Sequence, residues 1–152
     1  MNTSTPLPGA DPAALTQRVQ ASFERQGMMR HLGAQLIRVE PGLCEIALPH
    51  SEKVTQQQGG FHGGAMGALA DIAGGYAALT VAPDGMEVTT VEYKINFLAA
   101  FSGGELRATG RVLKAGRRII VTTADVVHVD SNGKVTDCAV MQQTLVPVPK
   151  TY

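Results

Sequence analysis

The chain has 152 residues, a formal net charge of zero at pH 7 and 44% hydrophobic residues. This length suits one domain with its own core, and no acidic or basic block indicates nucleic acid or a membrane as a partner. No basic region followed by an apolar stretch opens the chain, so we expect no signal peptide and a cytoplasmic location. Cys44 and Cys138 fit neither a disulfide framework nor metal-ligand spacing, and we expect two reduced thiols.

The first thirty residues predict one helix after a loose terminus. Residues 1–10 are polar and proline-rich, and we predict that they are flexible. Asp11 followed by Pro12 is typical of a helix start, and this helix would run to about Arg30 and end before Gly33. Its apolar side would carry Leu15, Val19, Phe23 and Met28.

Six later segments alternate apolar and polar residues in the manner of strands. One long glycine-rich helix lies between the second strand and the third. Because the connections after that helix are short, we predict an antiparallel sheet curved around it, an α+β fold in which residues 11–152 form a single domain. The predicted strands are 34–40, 44–50, 87–101, 104–116, 117–130 and 134–148, with turn signals at 41–43, 115–116 and 132–133.

The long helix belongs to the stretch "QQQGGFHGGAMGALADIAGGY", residues 56–76. If the helix begins at Gly63, its first N–H groups have no partner within the helix and carry the positive end of the helix dipole. The glycines allow close approach to that backbone. Such a terminus suits an anion, or a carbonyl oxygen that gains negative charge during a reaction. A plain glycine turn into a helix explains the same residues.

Asp71 is the one acid in this helix, and small residues surround it. Its neighbours three and four positions away are Gly67, Ala68, Gly74 and Gly75. This stripe would leave the carboxylate open to a ligand or to a second helix. Three interior glycines cost roughly 3 kcal/mol relative to alanine, which indicates a need for close approach. Two alternatives remain: the helix stops at Gly74-Gly75, or Asp71 is a structural acid bonded to a backbone N–H or a basic group.

The spacing of Gly63 and Asp71 restricts how they could act together. Eight residues span roughly 12 Å along a helix, so one carbonyl carbon cannot lie about 3 Å from both. A joint site therefore requires two antiparallel helices from different subunits. The sequence thus predicts an obligate homodimer with two shared sites, in which the small-residue stripe is a surface for helix packing.

Two segments carry a family resemblance: "FHGGAMGALADIAGGYAA" and the following "TTVEYKINFLAA". They resemble the hot-dog-fold acyl-CoA thioesterases, especially the phenylacetate-degradation and 4-hydroxybenzoyl-CoA branches, over about residues 30–148. The resemblance implies a long central helix wrapped by a curved antiparallel sheet of about six strands, with an N-terminal helix. It also implies hydrolysis of an acyl-CoA to free acid and CoA by a homotetramer built as a dimer of dimers. No cofactor is implied, because coenzyme A is part of the substrate.

The resemblance also implies roles for residues in and before the helix. Gly63 resembles the residue whose N–H polarises the thioester carbonyl, and Gly64 would lie beside the bound substrate. His62 resembles the adjacent family histidine that shapes this turn, although a loop histidine without a catalytic proton is an equal alternative. Asp71 resembles the carboxylate that the opposite subunit supplies, as nucleophile or as base toward water.

Further implied contacts lie outside the helix. Gln56 matches an amide near the thioester or the attacking water, where several relatives carry Asn. Thr90 resembles a hydroxyl that helps to hold water, and Thr89 is the alternative register. The CoA phosphates would need cations such as those of the "KAGRR" turn, although a charged hairpin tip that keeps the sheet edge soluble is the preferred explanation of that turn. Its cations are Lys114, Arg117 and Arg118.

Two other classes of function fit parts of this pattern. A hot-dog module could bind an acyl-CoA without hydrolysing it, and a hot-dog dehydratase would use a histidine and an acid at a different spacing. The histidines outside the glycine-rich stretch, His31, His50 and His128, show no metal-ligand spacing, so we predict no metal.

Overall fold

The structure is a computed structural model that describes residues 11–152, so the flexible terminus predicted at 1–10 lies outside the described residues. The elements are α1 (Pro12–Glu24), α2 (Gly27–Leu32), β1 (Gln35–Glu40), β2 (Leu43–Pro49), a short 3-10 helix (Glu52–Val54), α3 (Gly63–Leu79), β3 (Met86–Phe97), β4 (Glu105–Ala115), β5 (Ile120–Val129) and β6 (Val135–Pro149). The strands form one antiparallel sheet in the order β1-β2-β4-β5-β6-β3. The predicted hot-dog architecture, a long helix wrapped by a curved six-stranded sheet after an N-terminal helix, is confirmed.

The N-terminal helix is broken in two, and the prediction of one helix to Arg30 is wrong. The Asp11 side chain caps α1 by accepting from the Ala13 N–H at 3.1 Å, as expected. The chain then leaves helical geometry at Gln26, whose ψ is 101°. This break moves the inward-facing position along by one residue, so Met29 is buried and Met28 is exposed. The Gln26 side chain fixes the break, because its Nε2 donates to the Tyr76 hydroxyl at 2.9 Å.

The central helix α3 continues through both glycines at 74 and 75 and ends at Leu79, so the alternative of an early stop is wrong. It packs against β2, β3, β4, β5 and β6, and its buried residues are mostly Ala and Gly. Gly110 of β4 brings the sheet and the helix together, since a Cβ there would overlap the Ala73 carbonyl oxygen and the Gly74 nitrogen. This contact fixes the turn of α3 that follows Asp71.

Strand β3 lies at one edge of the sheet and is antiparallel to β6 along its whole length. The pairing shifts by one residue between Thr90 and Glu92, which makes Val91 the extra residue of a β-bulge. Several apolar side chains of β3 and the residue after it remain exposed to solvent: Val91, Tyr93, Phe97 and Leu98. An edge strand with this much exposed apolar surface is suited to pairing with another chain.

Two further features bear on the sequence predictions. Cys44 and Cys138 are buried free thiols, and burial raises their pKa values to about 12 and about 11. Within residues 11–152, no helix is both long and apolar enough to cross a lipid bilayer.

Candidate active site

The N-terminus of α3 is capped by the histidine that precedes it. His62 Nδ1 accepts a hydrogen bond from the Gly64 N–H at 2.7 Å, so in the neutral ring the proton is on Nε2. Because the Gly64 N–H donates to this cap, Gly64 can favour substrate binding only by having no side chain in the way. The Gly63 N–H, by contrast, donates to no acceptor among residues 11–152. A backbone donor at the positive end of a 17-residue helix is therefore available.

Gln56 lies in the turn that leads into this helix start. The turn is closed by the bridge between Thr55 and Phe61 and by the Gln56 N–H, which donates to the Gly60 carbonyl at 2.9 Å. The Gln56 side-chain oxygen accepts from the Gln58 N–H. Its Nε2 donates to nothing in the described part of the chain, so the amide has N–H groups to offer near the start of α3.

Asp71 lies two turns further along the helix and is held by two donors. Thr90 Oγ1 donates to Asp71 Oδ1 at 2.7 Å, and Gln143 Nε2 donates to the same oxygen at 2.8 Å. No residue of 11–152 donates to Oδ2. Thr90 is therefore the threonine beside Asp71, while Thr89 is exposed. The Thr90 hydroxyl donates its proton to the carboxylate, and its oxygen can still accept a hydrogen bond from water, so the water-holding role stays a prediction.

Gln143 was missed by the sequence interpretation. Its side chain is fully buried, and it stands in β6 between Met141 and Leu145, both also buried and on the same face of the strand. The signal in the sequence was the placement of Gln143 at an inward position between two apolar ones, because a polar residue at such a position of a strand needs a buried partner. That partner is Asp71.

Strands of the same chain lie against part of the small-residue stripe of α3. A Cβ at residue 67 would lie 3.8 Å from the Tyr93 hydroxyl, and at residue 74 a Cβ would overlap the Gln143 side chain. At the start of the helix, a Cβ at residue 63 would lie 3.3 Å from the Phe97 ring. Ala68 and Gly75 stay partly exposed, so the packing of the stripe against a second helix stays a prediction.

Two cavities meet at Asp71 and Thr90. One, of about 290 Å³, runs between α3, β3 and the end of α1, with Ile72, Leu79, Val88 and Leu145 in its apolar middle and Ser22, Gln26 and Tyr76 at its polar far end. Burial raises the pKa of Tyr76 to about 12, so this phenol is neutral. The other, of about 310 Å³, opens beside Val91, Glu92 and Tyr93 of the edge strand. Half-buried Asp71 thus faces a space on each side.

The cations predicted to bind phosphate lie apart from this carboxylate. Lys114 of β4 and Glu92 of β3 lie in one row across the sheet, with Val121 and Thr144 between them. The three strand spacings of this row separate Lys114 from Glu92 by roughly 14 Å. Arg117 and Arg118 lie at the exposed tip of the β4–β5 turn. Among the described residues, no three His, Cys, Asp or Glu side chains lie close enough together to hold a metal ion.

The sequence and the fold both match known proteins. The model of the Thioesterase superfamily matches residues 58–134, about half of the chain, from the turn before α3 to the turn after β5. The chain belongs to the thioesterase superfamily. It is 36% identical over 107 residues to a protein of Saccharolobus solfataricus that is named as an esterase, which covers 70% of this chain and 74% of that one.

Other members of the thioesterase superfamily agree with this assignment. The proofreading thioesterase EntH of Klebsiella pneumoniae is 34% identical over 91 residues, 60% of this chain and 66% of EntH. A solved thioesterase family protein from Silicibacter pomeroyi has a TM-score of 0.86 at 34% identity, over 90% of this chain and 99% of that chain. The PaaI protein of E. coli shares the fold, with a TM-score of 0.78 at 23% identity over 90% and 95% of the two chains. In general terms, this member of the thioesterase superfamily is a thioester hydrolase.

Proposed function

We propose that the chain hydrolyses an acyl-CoA to the free acid and CoA, at a site to which two subunits of a homodimer contribute. The observation that carries the proposal is the state of the Asp71 carboxylate. Two donors hold its Oδ1, while Oδ2 stands without a donor from residues 11–152 at the junction of two cavities. An oriented carboxylate with one oxygen unengaged is suited to attack or to general-base catalysis.

Asp71 has two routes to the thioester. As a base, Oδ2 takes a proton from water while the water oxygen bonds to the carbonyl carbon; the tetrahedral intermediate then expels the CoA thiolate, which gains a proton. As a nucleophile, Oδ2 bonds to that carbon, the thiolate leaves, and water cleaves the resulting anhydride. Both routes end with free acid, CoA and an unchanged carboxylate. Incorporation of oxygen-18 from labelled water into the Asp71 carboxyl during a single turnover would show the anhydride route with water attack at that carboxyl, whereas base catalysis places the label in the product acid alone.

The carbonyl oxygen gains negative charge in either route, and we assign its stabilisation to the Gly63 N–H of the other subunit. The eight residues between Gly63 and Asp71 correspond to roughly 12 Å along α3, too far for one thioester to contact both in one chain. The backbone donor and the helix dipole would act together on the developing oxyanion. Gln56 Nε2, near the same helix start, would donate to the carbonyl or to water.

The edge strand supports the dimer. Val91, Tyr93, Phe97 and Leu98 are each about half exposed, and β3 forms hydrogen bonds with β6 on one side only. A second copy of the chain would cover this surface and bring its own α3 toward the cavity beside Glu92. We extend the proposal to the homotetramer that the family resemblance implies and to the cytoplasmic location expected from the sequence. The contact of Lys114, Arg117 and Arg118 with the CoA phosphates stays a prediction.

The cavity between α1 and α3 is where we place the acyl group. A cavity of about 150 Å³ accommodates benzene in another protein, so about 290 Å³ has room for a short or branched chain or one ring. Its middle is apolar, while Ser22, Gln26 and Tyr76 present hydroxyl and amide groups at the far end. We therefore expect short acyl groups to react faster than long fatty chains.

The test is thiol release from a panel of short, medium, branched and aryl acyl-CoAs, measured with a thiol-detecting dye. The buried Cys44 and Cys138 thiols, with their raised pKa values, keep the protein background low. We expect turnover of some members and a loss of at least about 100-fold in Asp71→Asn, with the fold retained. Asp125→Asn, at an exposed site on β5, is the matched control. Tight binding of CoA esters without thiol release would favour the non-hydrolytic binding module instead.

A further inference from the structure

We propose that Gln143, with Thr122 behind it, is a positioning residue that holds Oδ1 of Asp71 and leaves Oδ2 as the reacting oxygen. The inference rests on the hydrolytic role proposed for Asp71. It assigns a function to a buried glutamine of β6 that lies outside the helix and its preceding turn. Gln143 contacts no substrate in this account and acts through the carboxylate alone.

The orientation of the Gln143 amide follows from its partners. Nε2 lies 2.8 Å from Asp71 Oδ1 and 3.3 Å from the Asp71 carbonyl oxygen. Both atoms can only accept a hydrogen bond while the carboxylate is ionised. The reversed amide would set Oε1 against these two oxygens without a proton between them. The ionised carboxylate thus selects the amide orientation.

Thr122 supplies the third member of the arrangement. Thr122 and Gln143 are cross-strand partners in β5 and β6, and Thr122 Oγ1 and Gln143 Oε1 are both buried without a hydrogen-bond partner within residues 11–152. Both atoms border the space left by the missing Cβ of Gly74. A buried acceptor and a buried hydroxyl side by side are stabilised when one donates to the other. A shift of these two side chains that brings the Thr122 hydroxyl to Gln143 Oε1 would complete a chain of donors from Thr122 to Gln143 to Asp71.

The position would otherwise favour an apolar side chain. Gln143 is flanked on its face of β6 by Met141 and Leu145, and all three are essentially excluded from solvent. A neutral amide in such surroundings is costly unless it is fully hydrogen-bonded. A residue that served only to fill the core would be like its two neighbours. The amide supplies a hydrogen-bond donor to the Asp71 carboxylate. Because the amide is neutral, it adds no charge beside the reacting thioester.

The expected signature is kinetic. Losing the Gln143 donor removes one of the two hydrogen bonds that hold Oδ1, so the carboxylate can rotate and Oδ2 is directed at the thioester less often. This change acts on kcat and leaves KM nearly unchanged, because Gln143 contacts no substrate.

The test uses Gln143→Met, which keeps length but removes the donor, beside Gln142→Met at the exposed neighbouring position. Carbon-13 NMR of labelled aspartate carboxyls reports the hydrogen bonding of Asp71 directly and needs no turnover. We expect the Asp71 carboxyl resonance to move in Gln143→Met and to stay unchanged in Gln142→Met. With an acyl-CoA that the enzyme turns over, kcat should fall by about 10- to 100-fold, the effect of one hydrogen bond to a charged group, with little change in KM.

The results separate a positioning role from a structural one. A lower melting temperature with an unchanged Asp71 resonance and unchanged kcat in Gln143→Met would overturn the proposal. Thr122→Val, which leaves Gln143 in place, should move the resonance in the same direction by a smaller amount, and it decides the question if Gln143→Met fails to fold. A wild type without turnover on any acyl-CoA contradicts the proposed function, whereas the Asp71 resonance still decides whether Gln143 holds the carboxylate.

Discussion

The side-chain oxygen of Gln143 occupies the space in which a Cβ of residue 74 would stand. Gly74 is thus required by a side chain of the same subunit, since any larger residue would push the glutamine away from Asp71. The other interior glycines of α3 lack this constraint, because Cβ atoms at Gly67 and Gly75 would make ordinary contacts at 3.8 and 3.9 Å. Of the glycines at 67, 74 and 75, only Gly74 is therefore required by the packing of the core.

Gly74→Ala should destabilise the protein, because the added methyl overpacks the space beside Gln143 and Thr122. We expect a loss of about 1–3 kcal/mol in the free energy of unfolding, measured by denaturant titration. Gly67→Ala is the matched control and should be neutral or up to about 1 kcal/mol stabilising, since alanine is the better helix former. Equal stabilities for the two variants would show that the space at residue 74 is not filled as described.

Thr90 and Thr89 offer a second matched pair on β3. Thr90→Val removes the hydroxyl that donates to Asp71 Oδ1 at 2.7 Å and preserves the shape of the side chain. We expect kcat to fall by about tenfold or more, the effect of one hydrogen bond to a charged group. Thr89→Val changes an exposed residue and should leave kcat within about twofold, because it touches no atom of the carboxylate. The reverse pattern would assign the catalytic register to Thr89.

The oxyanion role of Gly63 can be tested without disturbing the helix. Proline is well tolerated at the first helical position, and His62 already has the extended geometry, with ψ at 135°, that a following proline requires. Gly63→Pro replaces the N–H by the ring Cδ, whereas Gly63→Ala meets Phe97 with the same Cβ and keeps the donor. We expect a loss in kcat of about 100-fold or more for proline and a much smaller loss for alanine. Similar kinetics of the two variants would exclude the N–H from the reaction.

The acyl cavity gives a prediction about substrate size. Val88 lines it from β3, so Val88→Phe would fill much of its volume without adding a side chain next to Asp71 on α3. Thioester hydrolysis of the bulkiest good substrate should fall at least about tenfold in kcat/KM, while acetyl-CoA should be affected little, because losing a buried apolar contact has costs of this order. A uniform loss over all acyl-CoAs would place the acyl group elsewhere.

Much of the fold followed from local patterns in the sequence. Alternating strands, the Asn132-Gly133 turn and the Asp11 cap are decided by neighbouring residues, and each was predicted. The break at Gln26 was not, since it depends on a hydrogen bond to Tyr76, fifty residues away. The same reason explains the error in the helix face, where Met29 replaces Met28.

The candidate site shows the same division. Gly63, His62 and Asp71 could be singled out because their signals lie within one helix and its cap. Gln143, which lies beside Gly74, could not be singled out, because only the register of β6 places it against the helix. Its contact with Asp71 spans 72 residues in sequence. The contact of Tyr93 with the stripe of small residues was missed for the same reason, because the sequence did not specify where β3 lies against α3.

The central claim is that each active site combines Asp71 of one subunit with Gly63 of its partner, and subunit mixing tests it most directly. Asp71→Asn and Gly63→Pro, each inactive alone, are unfolded together in equal amounts and refolded, with separately tagged chains to isolate the mixed dimers. Each mixed dimer would hold one intact site and one doubly defective site. Random pairing then predicts recovery of about one quarter of wild-type activity per subunit, and about one half in the isolated mixed dimer. Activity no higher than the mean of the two variants would contradict a shared site.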